Sequence, residues 1–427
     1  MRKKLLCCLC LLALMFSGLA AAGETIRVLG LNTPLVEGMK ALVPEFEKET
    51  GIKVIIEQFA EDQLTQKLAV ELASGNTDLD VFVSRPLNEA RMFKKNGYAI
   101  DLTPYFKDDA DYDFDDFTVG AIESTRIDGY QTGIPMMNEV QLVFYRKDIF
   151  EERGLTPPDT FDELVEIAKE LTDRDNGFYA ILMRGQRSPP ITQLSSFLYG
   201  FGGDWFDRKT MTATFDTPEA LKAIDLYGTL LREYGPPGAP NMSWPQMQAI
   251  YQQGKGAMYI DASSHLPMLL DPTRSDIAKV TGVALFPAGP AGRKVFDITA
   301  WMLGIHSKSQ KKDAAWKFIR FCSNKKNLAF IQNEFGVESS RKSAYETQGS
   351  SKFPQDWIKA VKDTAPYGVG YDRPLVVAVQ EVRDILGDAI VTSIEGKDYV
   401  AAAKRANQKF QEILDREKAE AEAGDNK

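Results

Sequence analysis

Between Thr25 and Val83 the spacing of apolar residues switches repeatedly between the period of a strand and that of a helix, and this alternation admits few folds. Thr25–Leu31 reads as a strand. Pro34–Thr50 reads as a helix, with Leu35, Met39, Leu42, Val43 and Phe46 at helical spacing and Gly51 placed to end it in the left-handed conformation. Ile52–Gln58 is too β-branched and too short for a helix. Leu64, Leu68 and Leu72 mark a second helix stopped by Gly75, and Leu79–Val83 is a third strand. Strand, helix, strand, helix, strand at these lengths means a parallel α/β sheet covered on both faces. Ligands of such sheets sit beyond the carboxyl ends of the strands. Asn32, Thr33, Gln58, Ser84 and Arg85 occupy those ends, although short polar turns have the same composition.

A second unit of the same kind begins near Gly133-Ile134-Pro135, with a strand at Val140–Tyr145. Pro157-Pro158-Asp159-Thr160 leads into a helix through Leu171, with Thr160 and Glu163 spaced as a capping box. A further helix follows Thr217-Pro218. Gly235–Pro240 and Phe286–Gly292 are Pro/Gly bends, the latter consistent with a crossover between domains. Val400–Lys418 reads as a charged amphipathic helix and Ala419–Lys427 as a frayed tail. At 427 residues the chain has room for two well-packed domains.

The first residues read as an address. Arg2, Lys3 and Lys4 precede the apolar run Leu5–Phe16, and Leu19-Ala20-Ala21-Ala22 supplies a small-residue ending before Gly23, the three parts of a cleavable secretory signal over 1–22. An uncleaved anchor is the alternative, since Leu5–Ala22 approaches the length of a membrane span. Loss of this segment removes Cys7, Cys8 and Cys10 and leaves Cys322 alone, on the buried face of a helix. It also lowers the basic count from 51 to 48 against 60 acidic residues, a net charge of −12. The expectation is a soluble exported protein, placed in the periplasm. An acidic chain of this kind is a poor nucleic-acid binder. Its two histidines, His265 and His306, are isolated, without metal-ligand spacing, and read as turn or surface residues, so most histidine chemistry is not expected.

Several segments in fixed order carry a resemblance. They are Thr50-Gly51-Ile52-Lys53-Val54; Leu102-Thr103-Pro104-Tyr105-Phe106; Phe144-Tyr145-Arg146-Lys147-Asp148-Ile149-Phe150 with Pro158–Leu164; Gly254-Lys255-Gly256-Ala257-Met258; and Ala315-Trp316-Lys317-Phe318-Ile319. Together they resemble the sugar-binding proteins of ABC importers, the extracellular solute-binding family that includes maltose-binding protein. Gln141–Asp148, Tyr259–Ser263, Ala300-Trp301 and Arg341-Lys342-Ser343 are most similar to the mannitol and sorbitol binders within it. The resemblance implies an α/β fold of two lobes, each a mainly parallel sheet flanked by helices, joined by a hinge of crossing strands. Residues 23–135 with 288–325 would form the N-terminal lobe, and 136–287 with 326–427 the C-terminal lobe. It further implies a ligand held in the cleft between lobes, delivery to the transmembrane permease of an ABC transporter, a monomer, and no cofactor, metal or catalysis.

A sugar or polyol asks for a flat aromatic surface and for charged or amide groups that pair with adjacent hydroxyls. Trp301 is the leading platform because it follows the Phe286–Gly292 crossover, and the resemblance puts an aromatic there. Trp205 and Trp244 stand as site or core in equal measure, whereas Trp316 and Trp357 fall in helical patterns. Asp261 ends a strand, where it reaches a cleft or caps the next helix. Asn138 and Glu139 fall at the expected hinge. Arg341 could clamp two hydroxyls or form a surface ion pair, and Gln58, Arg85 and Asn32 rest on the strand-end argument. Tyr367, Tyr371 and Arg373 are weaker candidates in a Gly/Pro-rich loop.

The competing classes are an exported glycoside hydrolase and the same fold holding an iron chelate, osmolyte or peptide. A hydrolase needs two carboxylates at a set separation, which 60 acidic residues always supply by chance. No Gly-x-Ser-x-Gly, His-Glu-x-x-His or phosphate-loop motif is present.

Overall fold

The computed structural model describes residues 24–346 and 353–425, so the leader expected over 1–22 lies outside the described residues. The first unit folds as its periodicity predicts. The strands Thr25–Leu31 and Lys53–Phe59 run parallel, as do Thr25–Leu31 and Val81–Ser84, with helices Pro34–Thr50 and Glu61–Ser74 between them. Gly51 ends the first helix at φ 72°, a conformation that costs glycine nothing. Leu35, Val36, Met39, Leu42 and Phe46 form the buried stripe of that helix. They pack with Ile26, Val28 and Val81 on one side of the sheet, while Leu64, Leu68 and Leu72 pack with Leu29 and Phe82 on the other.

The second unit has its own core. It gathers Leu142, Val143, Phe144, Leu164, Phe197, Trp205, Tyr227, Tyr259, Trp357, Leu386 and Phe410 from segments up to the last helix. That helix, Tyr399–Asp425, runs past the expected fray at Ala419 and meets the first lobe through Lys95 and Glu420 at 2.5 Å. Helix Phe161–Leu171 starts at Thr160, whose hydroxyl accepts from the Glu163 N–H at 3.2 Å. The reciprocal bond departs from the expected box, because Glu163 accepts from the Asp159 N–H at 2.7 Å.

Two long strands join the units. Ile134–Arg146 pairs antiparallel with Val295–Ile305 through its first half and with Gly256–Ala262 and Thr281–Leu285 through its second. Val295–Ile305 continues to pair with Val81–Ser84, so one sheet runs through both lobes. The strand expected only over Val140–Tyr145 is thus the end of a longer element that serves both cores. A third passage lies alongside: the Asn138 N–H donates to the Glu338 carbonyl at 3.0 Å, and Met137 bridges Ser339. Helix Lys325–Phe335 remains on the first lobe, with Leu328 and Ile331 buried in its core. The return to the second lobe expected at 326 therefore comes at this third passage, because the helix buries its apolar face on Pro34–Thr50.

The crossing region is buried and acidic. Asn138 donates to Asp297, Ser263 donates to Glu338, and all four side chains are buried. Burial raises the Asp297 carboxyl from 3.8 to about 6; Asn138 opposes the shift and Glu123 adds to it. A carboxyl raised in the folded state binds its proton more tightly there than in the unfolded chain. Its contribution is complete below about pH 4 and is lost as pH rises through about 6. The Asp297→Asn variant should lack this component. Subtracting its urea-unfolding free energies from those of the parent across pH 4–7 should expose a fall of up to about 3 kcal/mol; a flat difference would refute the assignment.

Candidate functional site

Residues of the two lobes meet beside the crossing strands, where Arg373 of the second reaches Asn88, just past the end of Val81–Ser84 in the first. In the second lobe, Tyr179–Leu182 and Gly256–Ala262 are parallel with Leu182 opposite Tyr259. Arg184 and Asp261 stand two residues beyond each, so the register brings them together. The Arg184 guanidinium grips Asp261 with both arms, Nη2 to Oδ1 at 2.5 Å and Nε to Oδ2 at 3.1 Å. Asp261 also accepts from the Ala262 N–H at 2.8 Å and the Tyr259 hydroxyl at 3.0 Å. Burial works against its charge, but the Arg184 guanidinium and the Ala262 N–H hold the carboxyl below the usual range. Burial lowers His265 to about 4, so its ring is neutral; it lies 2.6 Å from the Tyr259 hydroxyl. Trp244 packs on that ring at 5.1 Å and is 38% exposed at the rim.

A second bidentate pair stands beside the first. Arg373 holds Asp372 through Nε and Nη2, both at 2.5 Å, and its Nη1 reaches across the lobes to Asn88. From the first lobe, Arg85 follows the strand Val81–Ser84. Its N–H donates to Glu89 at 2.8 Å, and its guanidinium lies 5.8 Å from the Trp301 ring. Trp301 sits in a β-bulge: Thr299 opposes Asn138 and Trp301 opposes Met137, leaving Ala300 as the extra residue. Such a bulge re-aims the side chain that follows it. Leu87 packs with Ala262, Phe296 and Ile298, so the two lobes touch at the base of the cleft. Glu139, half-buried on the crossing strand, accepts from the Ser264 hydroxyl at 2.6 Å. Burial raises its carboxyl, with Ser264 and Arg184 opposing.

Trp301 thus lies with Arg85 on the first lobe, and Glu139 and Trp244 lie on the side of the Arg184–Asp261 pair, Trp244 through His265. Asn138 is committed to the hinge through Asp297. Asn32 is exposed at the end of its strand, its N–H donating to the Phe59 carbonyl at 2.8 Å. Gln58 lies apart, tied to Glu37 and Lys40 of the adjacent helix at 2.8 Å each. Trp205 is wholly buried in the second core, its Nε1 donating to Tyr199 at 2.9 Å and its ring stacked on Phe215. Arg341 is wholly buried as well, and its guanidinium is consumed by the Ser323, Asp113 and Tyr112 carbonyls and by Asp116. It stands 4.0 Å from the Phe117 ring centroid and 4.8 Å from that of Tyr112. It ties the third passage to the first lobe and has no arm left for a hydroxyl. Both histidines, expected at turns or the surface, are buried; His306 Nδ1 is 3.0 Å from the Tyr98 carbonyl. Burial pushes the Cys322 thiol up, as expected of an inert core residue.

Arg184 and Asp372 escaped the sequence reading, and Arg373 stood only as a weak candidate. Arg184 carries the same signal as Arg85, a position just past a parallel strand, but the four residues Tyr179–Leu182 are too few to show a strand period. Two variants separate site from scaffold. Removing either buried partner leaves a charge unpaired, so Asp261→Ala and Arg341→Ala should each lose about 3–5 kcal/mol of stability. Titration below the unfolding midpoint should find solute affinity lost in Asp261→Ala and kept in Arg341→Ala; equal affinities in both would refute the division.

Residues 32–329 match the bacterial extracellular solute-binding protein family. The chain is 28% identical over 415 residues to the mannitol-binding protein of Pseudomonas aeruginosa, covering 94% of this chain and 93% of the relative. A solute-binding protein of Agrobacterium radiobacter in complex with ribitol aligns with TM-score 0.78 at 27% identity, over 92% of this chain and 99% of that one. One from Agrobacterium vitis with bound D-mannitol gives TM-score 0.71 at 27% identity, over 93% and 99%. No helix among the described residues is long and apolar enough to cross a membrane. With most of its length matched and its strands crossing between two lobes, the chain belongs to the bacterial extracellular solute-binding proteins of ABC transporters, a family of binders rather than enzymes.

Proposed function

We propose that the chain is exported by the leader over residues 1–22 and works as a monomer in the periplasm. There it captures a sugar or polyol between its lobes and hands it to the permease subunits of an ABC importer. The observation that carries this reading is the placement of Trp301 with Arg85 on one lobe opposite the Arg184–Asp261 and Arg373–Asp372 pairs on the other. An indole face accepts the C–H surface of a hydroxylated carbon chain. Guanidinium and carboxylate groups, already held rigid by each other, present paired donors and acceptors to neighbouring hydroxyls. A site so built rejects solutes that lack hydroxyls, because its polar groups would then stay unpaired. The relatives named for mannitol and those solved with ribitol and D-mannitol support a polyol as the first class to try.

A ligand that binds only the folded protein raises its stability by about 2.7 kcal/mol at a hundredfold excess over Kd. Thermal denaturation with alditols, monosaccharides, oligosaccharides, amino acids and metal chelates should therefore give upward shifts confined to hydroxylated carbon chains. Trp301→Ala should weaken the responding ligand by about 30-fold or more, the range of a buried aromatic anchor. A shift with amino acids or chelates alone would overturn the reading, as would turnover of a glycoside.

A further inference from the structure

The cleft holds more guanidinium than its carboxylates neutralise. Arg85 from the first lobe and Arg184, Arg373 and Arg383 from the second lie close enough for Arg383 to feel the charge of the other three. Three of them are paired: Arg85 with Glu89, Arg184 with Asp261, Arg373 with Asp372. Arg383 is carried there by the helix Val379–Ile394. That helix packs so tightly on the loop after Arg184 that a Cβ at Gly387 would stand 1.8 Å from the Arg187 carbonyl oxygen. Its Nε is buried without an acceptor, and its Nη2 reaches the Ser188 carbonyl at 3.4 Å. Among the described residues no carboxylate pairs with it. Asp372, the acid it feels most, already has both oxygens on Arg373 at 2.5 Å. Glu139 is engaged by Ser264, and burial favours its neutral form. Burial and the neighbouring Arg373 together lower Arg383 to about 9, with Asp372 opposing.

Arg383 is half-buried, and a guanidinium whose Nε is shut away from water without an acceptor is unfavourable unless something negative completes it. In a chain with a net charge of −9, a surplus of positive charge in the ligand cleft is a local feature that draws anions. We propose that the hydroxylated solute of this cleft carries one carboxylate, as a sugar acid does, received by Arg383 with Arg373 beside it. This rests on the sugar or polyol reading and narrows it. One uncompensated guanidinium suits a monocarboxylate better than a phosphate monoester, which brings a charge of about −1.5 to −2.

The test compares partners of equal carbon number by isothermal titration of the full chain: D-mannitol with D-mannonate, D-sorbitol with D-gluconate, and D-mannitol 1-phosphate as a third arm. An aldonate should bind about tenfold or more tighter than its alditol, the scale of one added charge-assisted bond. In Arg383→Gln that ratio should fall to about one, with the unliganded melting temperature showing that the variant is folded. Alditols binding as tightly as aldonates, or an Arg383→Gln variant that keeps the preference, would overturn the inference and leave the polyol reading standing. Tightest binding of the phosphate ester would overturn the single-carboxylate assignment. No binding of any member would overturn both.

Discussion

Strands that belong to two cores at once are the constraint on which the rest of the molecule depends. Ile134–Arg146 and Val295–Ile305 each bury one end in one lobe and one end in the other. The polar residues between those ends, Asn138, Glu139, Asp297 and Thr299, lie where neither core reaches. Backbone pairing persists through the crossing, so the lobes stay in register. Asn138 with Asp297 and Ser263 with Glu338 then satisfy polar groups that burial would otherwise leave costly. Hinge closure of two-lobed proteins rests on a few such element-terminal residues.

The cleft is polar because of this placement, and its charged groups hold one another in place. Arg184 is not a free cation: Asp261 takes both its arms and is itself fixed by Tyr259 and the Ala262 N–H. Arg373 is fixed by Asp372 in the same way. Side chains locked by each other lose little freedom when a hydroxyl joins them, which is the physical advantage of a preorganised site. Trp301 depends on backbone geometry instead: it follows the bulge at Ala300 and packs, half-buried, on the cores of the first lobe. Arg341 shows the same chemistry serving the scaffold, with a guanidinium spent on carbonyls inside the first lobe.

Local pattern was enough for the first three strands, their helices and Gly51, because periodicity and turn chemistry act over a few residues. The class of fold and the crossing of strands followed from that pattern and the resemblance together. The length of the crossing strand was hidden, since residues 134–139 include Pro135, Asn138 and Glu139 and lack the run of apolar residues that marked Val140–Tyr145. The return to the second lobe was misplaced because helix Lys325–Phe335 reads the same on either core. Among candidate site residues, the sequence ranks Trp301 above Trp205 but leaves Trp205 open between site and core; its bond to Tyr199 and its stacking on Phe215 put it in the core. The Arg184–Asp261 pair joins positions 77 residues apart, and the Arg373–Asn88 contact joins positions 285 apart. No local signal encodes partners at such distances.

The central claim is that solute is held between the lobes by groups from both. A crystal structure of the complex with whichever polyol or sugar acid gives the largest thermal shift tests it most directly. The account predicts the carbon chain against the Trp301 indole, with its oxygens on Arg184 or Arg373 of the opposite lobe. A solute bound wholly on one lobe, or away from Trp301, would contradict it.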